Sequence, residues 1–112
     1  MGRRMLSDEV IPLIAERFRA LAEPTRLVLL RTLMQREHTV NELVDCTGLG
    51  QANVSKHLQL LFAMGFVRRR KHGLFVHYAI ADRHVVKLCD LMCERLPLSP
   101  PPATAVKADA RR

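Results

Sequence analysis

Apolar residues recur at helical spacing through the first third of the chain. From Ile11 to Leu21 they lie three or four residues apart behind Ser7, which predicts an amphipathic helix capped by that serine. Because proline is tolerated only in the first turn of a helix, the helix either holds Pro12 in that turn or starts nearer to it. Pro24 is well placed to be the first residue of a second helix. The inner face of the second helix is predicted to carry Leu27, Leu30 and Met34.

A capping box predicts a short third helix. Thr39 can accept a hydrogen bond from the third amide of that helix, while the side chain of Glu42 reaches back to the amide of Thr39. Gly48 stops the helix, and after a tight glycine-containing turn a fourth helix is predicted from about Gln51 to Met64. Two helices joined by such a turn are typical of a helix-turn-helix motif. Their inward side chains are expected to be Val40, Leu43, Val44, Val54, Leu58, Leu61 and Phe62.

Beyond residue 65 the apolar pattern changes from helical spacing to alternation. Two strand-like runs, 66–70 and 74–80, flank Lys71-His72-Gly73, which predicts a β-hairpin with glycine at its tip. Asp82 then opens a last helix. Its apolar stripe is expected to consist of Val85, Leu88, Cys89, Met92 and Leu96. The order α-α-α-α-β-β-α predicts a mainly α domain with a small β-hairpin, that is, a winged helix-turn-helix.

Length and composition are those of one small folded domain. The chain has 112 residues, of which 48% are hydrophobic, and no apolar run approaches the length of a transmembrane helix. We expect the domain to cover residues 1–96 and the Pro- and Ala-rich segment 97–112 to be a disordered tail. The N-terminus lacks the pattern of a signal peptide. Three cysteines, an odd number without dense spacing, favour a reducing cytoplasm over a disulfide framework.

Positive charge is concentrated in one segment of the chain. The sequence holds 18 Lys plus Arg against 11 Asp plus Glu, a net charge of +7. Residues 51–78 contain five basic side chains and no acidic one. Such a cluster favours a polyanionic partner, although a solvated charged face would look the same in isolation. Because the segment coincides with the second helix of the predicted motif and the hairpin, we interpret it as a DNA-binding surface.

The second helix of a helix-turn-helix lies in the major groove, so its outward side chains are candidates for base contacts. Asn and Gln can pair with adenine, Lys with guanine, and Ser with a base or a phosphate. For His57, which neighbours the core side of the helix, we favour a packed or hydrogen-bonded role over a base contact. The candidate DNA-binding residues of this helix are Gln51, Asn53, Ser55, Lys56 and Gln59.

The hairpin supplies a second group of candidates. Side chains on a β-ribbon tip can reach a backbone phosphate or the minor groove. Because strand side chains alternate between two faces, only some of the group can face DNA at once. A charged edge that deters sheet aggregation is the alternative interpretation. The group consists of Arg68, Arg69, Arg70 and Lys71.

Several of these segments together resemble a known family. They are Leu21–Leu27, Asn41–Leu43, Gln51–Leu58, Leu60-Leu61, Gly65 and Val67. With Pro24-Thr25-Arg26 and Val54–Leu58 as its most specific parts, the chain resembles the ArsR/SmtB family of bacterial winged-helix repressors over about residues 10–95. The resemblance implies a homodimer, built from the first and last helices, that binds a palindromic operator and releases it when an inducer binds. At Arg26 it implies a structural salt bridge more than a DNA contact.

The resemblance does not identify an inducer. The family's Cys-x-Cys metal motif would fall on residues 39–41, whose ends are threonine and asparagine. A second family site begins with Asp-x-His, matched by Asp82 and His84, but its remaining ligands would fall near Arg95 and Leu98. That zinc site cannot be completed, so we expect Asp82 to be a helix cap and His84 a surface histidine.

Two cysteines on the last helix are candidate sensors. Cys89 and Cys93 are four residues apart, so their Cβ atoms should lie roughly 5–6 Å apart, too far for a relaxed disulfide but suitable for two thiolates on one soft ion. As(III) or a soft metal ion is one candidate ligand there, with Cys46 as a third ligand only if the fold or a dimer brings it close. Nearby His84 or Lys87 could favour thiolate formation. Simple packing of the cysteines, or redox or sulfur sensing, remain alternatives.

The sequence therefore predicts a cytoplasmic, sequence-specific DNA-binding repressor, associated with the nucleoid when it is bound to its operator. Enzymatic activity is not expected, because there is no glycine-rich phosphate loop, no metalloprotease histidine pair and no cysteine beside a histidine base. The alternative is a winged-helix protein-interaction or RNA-binding module without an inducer site.

Overall fold

The computed structural model describes residues 6–98, which form five helices and one three-stranded sheet. The order of elements is α1 (Ile11–Leu21), α2 (Pro24–Gln35), β1 (His38–Thr39), α3 (Val40–Thr47), α4 (Gln51–Ala63), β2 (Val67–His72), β3 (Phe75–Ile80) and α5 (Arg83–Glu94). Apart from the two-residue β1, this is the predicted order. Of the predicted tail, residues 99–112 lie outside the described part of the chain.

Prolines set the starts of the first two helices. α1 begins at Ile11 with Pro12 in its first turn, so the later of the two expected starts is observed. Ser7 is not its side-chain cap; the carbonyl of Ser7 accepts the amides of Val10 and Ile11, both at 3.0 Å. α2 begins at Pro24 as predicted, because a proline at this position gives up an amide that has no helical partner.

The core lies between α2, α3, α4 and the base of the sheet. Two expected inward residues are instead exposed, Leu27 by 41% and Phe62 by 38%. α2 contacts α1, α3, α4 and β3, and this packing turns a neighbouring stripe of the helix inward. Met34 is half-buried against the core. The fully or almost fully buried side chains include Leu29, Leu30, Leu33, Leu43, Val54, Leu58, Leu61 and Val67.

The sheet is antiparallel with strand order β1-β3-β2. Its hairpin differs from the prediction at the tip: Lys71 and His72 belong to β2, and the turn consists of Gly73 and Leu74. Gly73 has φ +63°, a left-handed conformation that glycine adopts without a steric cost. Below, the wing denotes the hairpin of β2 and β3.

The terminal helices leave apolar side chains uncovered in the single chain. Asp82 caps α5, as predicted, by accepting the amide of His84 at 2.9 Å, and Val85 is buried in the core. Leu96, expected in the stripe of this helix, lies beyond its end at Glu94. No helix within residues 6–98 is long and apolar enough to cross a membrane. The exposed large apolar residues of α1 and α5 are Ile11, Leu13, Phe18, Leu91 and Met92.

Candidate nucleic-acid interface

One side of α4 is apolar and buried. Its exposed side carries polar side chains and no acidic group, together with Leu60 and Phe62, which are 39% and 38% exposed. Ser55 is half-buried near the boundary between the two sides. The remaining four candidates of the helix are exposed: Gln51, Asn53, Lys56 and Gln59. Their amide and ammonium groups are the hydrogen-bonding chemistry that reads base edges. We call α4 the recognition helix below.

The turn before the recognition helix is fixed by local hydrogen bonds. Thr39 and Glu42 form the predicted capping box of α3, with bonds of 3.1 and 2.9 Å. At the other end of α3, the buried hydroxyl of Thr47 donates to the carbonyl of Leu43 at 2.6 Å and accepts the amide of Leu49 at 3.2 Å. The two bonds of Thr47 tie the start of the turn to the last turn of α3.

His57 lies on the buried side of the recognition helix, 8% exposed, and faces Arg26 rather than solvent. Its Nδ1 is 3.1 Å from Nη1 of Arg26. Burial is the main cause that lowers the pKa of His57. Arg26 does not form the expected side-chain salt bridge: its guanidinium donates to the carbonyls of Ala20 and Arg19, and only its backbone amide bonds to Glu23.

Three of the four basic residues of the wing are held by contacts within the protein. Arg68 donates to the carbonyl of Ile80 at 2.7 Å, and Arg70 pairs with Glu37 at 2.9 Å. Lys71 is exposed and has no hydrogen bond or ion pair within residues 6–98. The strand register places Arg69 and Lys71 on one face of the wing and Arg68 and Arg70 on the other.

The contact of Arg69 with the recognition helix could not be anticipated from local sequence. Its guanidinium lies 4.0 Å from the centre of the Phe62 ring, a cation–π contact that shields the exposed side of that ring. This contact accounts for an exposed aromatic residue at a position expected to be internal. It also joins the wing to the C-terminal half of the recognition helix.

The cysteines are distributed over two elements. Cys46 is exposed on α3, whereas Cys89 is half-buried and Cys93 exposed on α5. No group of three or more His, Cys, Asp or Glu that could hold a metal ion occurs in the described part of the chain, so Cys46 does not join the pair within one chain.

The expected stabilisation of a thiolate by His84 or Lys87 is not observed. Burial raises the pKa of Cys89, and Cys93 and Asp90 act in the same direction. The ring of His84 is instead bound to Asp82 at 3.0 Å, which agrees with the predicted roles of cap and surface histidine.

A shallow groove separates the terminal helices. It encloses about 350 Å³ between α1, α5 and the segment 64–66. Arg17 crosses one side, donating to the carbonyl of Met64 at 2.7 Å with its guanidinium 5.6 Å from the ring of Phe66. The apolar lining is provided by Ile14, Phe18, Leu21, Val85 and Leu88.

Comparison with known proteins agrees with this geometry. The model of the family described as bacterial regulatory protein, arsR family, matches residues 23–69. Over 87 residues the chain is 39% identical to the HTH-type transcriptional regulator KmtR of Mycobacterium tuberculosis, covering 78% of this chain and 67% of KmtR. The chain belongs to the ArsR family. Its relatives are transcriptional regulators and not enzymes.

Two further proteins, one compared by sequence and one by structure, are similar to this ArsR-family chain. Over 71 residues it is 42% identical to a probable mercury resistance operon repressor of Streptomyces lividans, covering 63% of this chain but only 57% of that protein. The homodimeric winged helix-turn-helix DNA-binding domain Mb0332 of Mycobacterium bovis is 27% identical with a TM-score of 0.69, covering 88% of this chain and 98% of that one. The predicted winged helix-turn-helix fold is thereby confirmed.

Proposed function

We propose that the protein is a homodimeric repressor that binds a palindromic operator through the recognition helix and the wing. One observation carries the proposal: the solvent-facing side of the recognition helix presents Gln51, Asn53, Lys56 and Gln59, and no acidic side chain occurs from residue 51 through residue 81. A surface that excludes carboxylates while presenting Asn, Gln and Lys suits base edges and phosphates together. Membership of a family of DNA-binding regulators supports the same conclusion.

The proposed dimer uses α1 and α5. Both helices expose large apolar side chains beside an apolar groove, and burying such surface is the main driving force for association. The homodimeric state of the similar Mb0332 domain supports this arrangement. A two-fold dimer would place the two recognition helices about one DNA turn apart, roughly 34–36 Å, as a palindromic site requires.

For the wing we propose contacts to phosphate or the minor groove, led by Lys71. Its ammonium has no partner among residues 6–98 and lies nearest the tip, whereas the charge of Arg70 is partly neutralised by Glu37. Arg68 and Arg69 keep their charge while bonded to a carbonyl and an aromatic ring, so they add to the positive field of this face.

As inducer we propose a thiophilic species, As(III) or a soft metal ion, bound at Cys89 and Cys93. The two thiols lie one helical turn apart and are close enough for Cys93 to influence the pKa of Cys89. The Streptomyces lividans relative is named for mercury resistance, which supports thiol chemistry here. Two sulfur ligands leave coordination positions open, so water or a group from the second subunit would complete the site. Packing of the thiols alone, and redox or sulfur sensing, are the competing roles.

Selection from a random duplex library, followed by fluorescence anisotropy on the selected and a scrambled duplex, tests the proposal. The wild type should prefer the selected duplex by roughly a thousandfold or more. Lys56→Ala should weaken binding to the selected duplex, whereas the matched Lys87→Ala on α5 should not. Equal affinity for scrambled duplex, or a preference for RNA, would instead favour a winged-helix interaction or RNA-binding module.

A further inference from the structure

Arg26 lies where α1, α2 and the recognition helix meet. Its Nε and Nη2 donate to the carbonyls of Ala20 and Arg19, the latter at 3.3 Å, at the C-terminal end of α1. Its Nη1 lies 3.1 Å from Nδ1 of His57 on the recognition helix. Its backbone amide bonds at 3.0 Å to Glu23, the N-cap of α2. One side chain therefore connects a terminal helix to the recognition helix.

This contact fixes the protonation state of His57. A guanidinium has only donors, so Nδ1 of His57 must accept and must carry no proton. The neutral ring then carries its proton on Nε2, which faces Oε1 of Glu23 at 4.0 Å. The charged groups around the ring are Glu23 and Arg26 from the α2 side and Lys56 from its own helix. Only Glu23 among them favours the imidazolium.

We propose that Arg26 is a positioning residue for DNA binding: through neutral His57 it holds the recognition helix against the end of α1, and protonation of His57 releases that hold. The inference rests on the proposed function of the recognition helix. It also assigns a direct physical route from α1, one of the two helices proposed to form the dimer, to the DNA-binding face.

Protonation has a definite sign at this site. An imidazolium offers no lone pair to Arg26 and places a second positive charge 3.1 Å from the guanidinium. Burial lowers the pKa of His57 below its ordinary value of 6.5, so the neutral, competent form is complete at neutral pH and is lost as pH falls through the lowered pKa. Operator affinity should therefore decrease on acidification.

General electrostatics predicts the opposite trend, which makes the test decisive. Acidification in general makes a protein surface more positive, and a more positive surface attracts DNA more strongly. A protein without the proposed link should thus bind its operator more tightly as pH falls. Only a buried group that must remain neutral reverses the direction.

The experiment measures operator affinity by anisotropy from about pH 8 to about pH 5 at constant ionic strength. The wild type should lose up to about tenfold in affinity per pH unit for each His57 that titrates, and therefore up to about a hundredfold for the dimer. His57→Gln supplies an amide oxygen that can accept from Arg26 but cannot titrate, so the operator affinity of this variant should no longer fall on acidification. The matched control His84→Gln, at an exposed histidine on α5, should keep the wild-type loss of operator affinity on acidification.

Two DNA-free measurements separate this inference from the proposed function. Nitrogen-detected NMR of the His57 ring should show the Nε2–H tautomer in the wild type, and the tautomer preference should weaken in Arg26→Lys, whose single ammonium cannot span the same acceptors. At low pH the recognition helix should lose protection from amide hydrogen exchange relative to α3. In His57→Gln this relative loss of protection should not occur. If His57→Gln keeps the wild-type acid response and exchange, the inference is wrong even where operator binding is established. If no duplex is preferred but the exchange result holds, the proposed function is wrong, whereas the link from Arg26 through His57 to the recognition helix stands.

Discussion

At the scale of single residues, identical charges in one run have different surroundings. Arg68, Arg69, Arg70 and Lys71 are consecutive, yet a carbonyl, an aromatic ring and a carboxylate engage the three arginines, while the lysine contacts no such group in the described part of the chain. Their partners, Ile80, Phe62 and Glu37, are 12, 7 and 33 positions away in sequence. Periodicity cannot supply such pairings because they depend on how the sheet and α4 come together.

This difference predicts how wing variants respond to salt. Lys71→Ala should weaken operator binding several-fold and lower the slope of log affinity against log salt by about 0.9 for each subunit, and so by about 1.8 for the dimer. Arg70→Ala should have a smaller effect because its charge already faces Glu37. Anisotropy titrations at several salt concentrations provide the measurement. An Arg70 effect as large as that of Lys71 would contradict the assignment.

At the scale of elements, local signals fixed the boundaries and long-range packing fixed the faces. The starts of α2, α3 and α5 were predicted because Pro24, Thr39 and Asp82 act on neighbouring amides. The two-residue β1 was missed since it exists only by pairing with β3. The exposed Leu27 shows the same limit of local sequence signals, because the elements that pack against α2 determine which of its faces is buried.

The capping box of α3 leads to a stability prediction. Thr39→Ala removes the acceptor for the amide of Glu42, bonded at 3.1 Å, and should lower the free energy of unfolding by about 1 kcal/mol. Asn41→Ala changes an exposed residue of the same helix and should remain within about 0.5 kcal/mol of the wild type. Urea denaturation followed by circular dichroism measures both. Equal effects would mean that the box does not stabilise the helix.

At the scale of the whole molecule, the uncovered faces of α1 and α5 predict a dimer. Phe18→Glu, at a side chain 53% exposed on α1, should convert a micromolar dimer into a folded monomer, because a carboxylate would be buried at the interface. Phe75→Glu, on a wing residue 57% exposed, is the matched control and should remain dimeric. Multi-angle light scattering measures the mass of each. A monomeric wild type would contradict the proposed assembly.

Coupling between α5 and the DNA-binding face gives the last prediction. A thiophilic ion loosens operator binding only if it prefers the dimer geometry that does not fit DNA, and such couplings are typically 1–3 kcal/mol, roughly 5- to 150-fold in affinity. The double variant Cys89→Ser, Cys93→Ser should bind operator normally and lose the response to arsenite or cadmium, while Cys46→Ser should respond like the wild type.

The protonation state of the pair adds a second signature to that prediction. Because burial raises the pKa of Cys89, a bound soft ion must displace a proton, and its apparent affinity should increase with pH through the neutral range. The ultraviolet charge-transfer band of cadmium-bound thiolate measures this directly. If the double serine variant still releases DNA on addition of arsenite or cadmium, Cys89 and Cys93 have only a packing role on α5 and the sensor lies elsewhere.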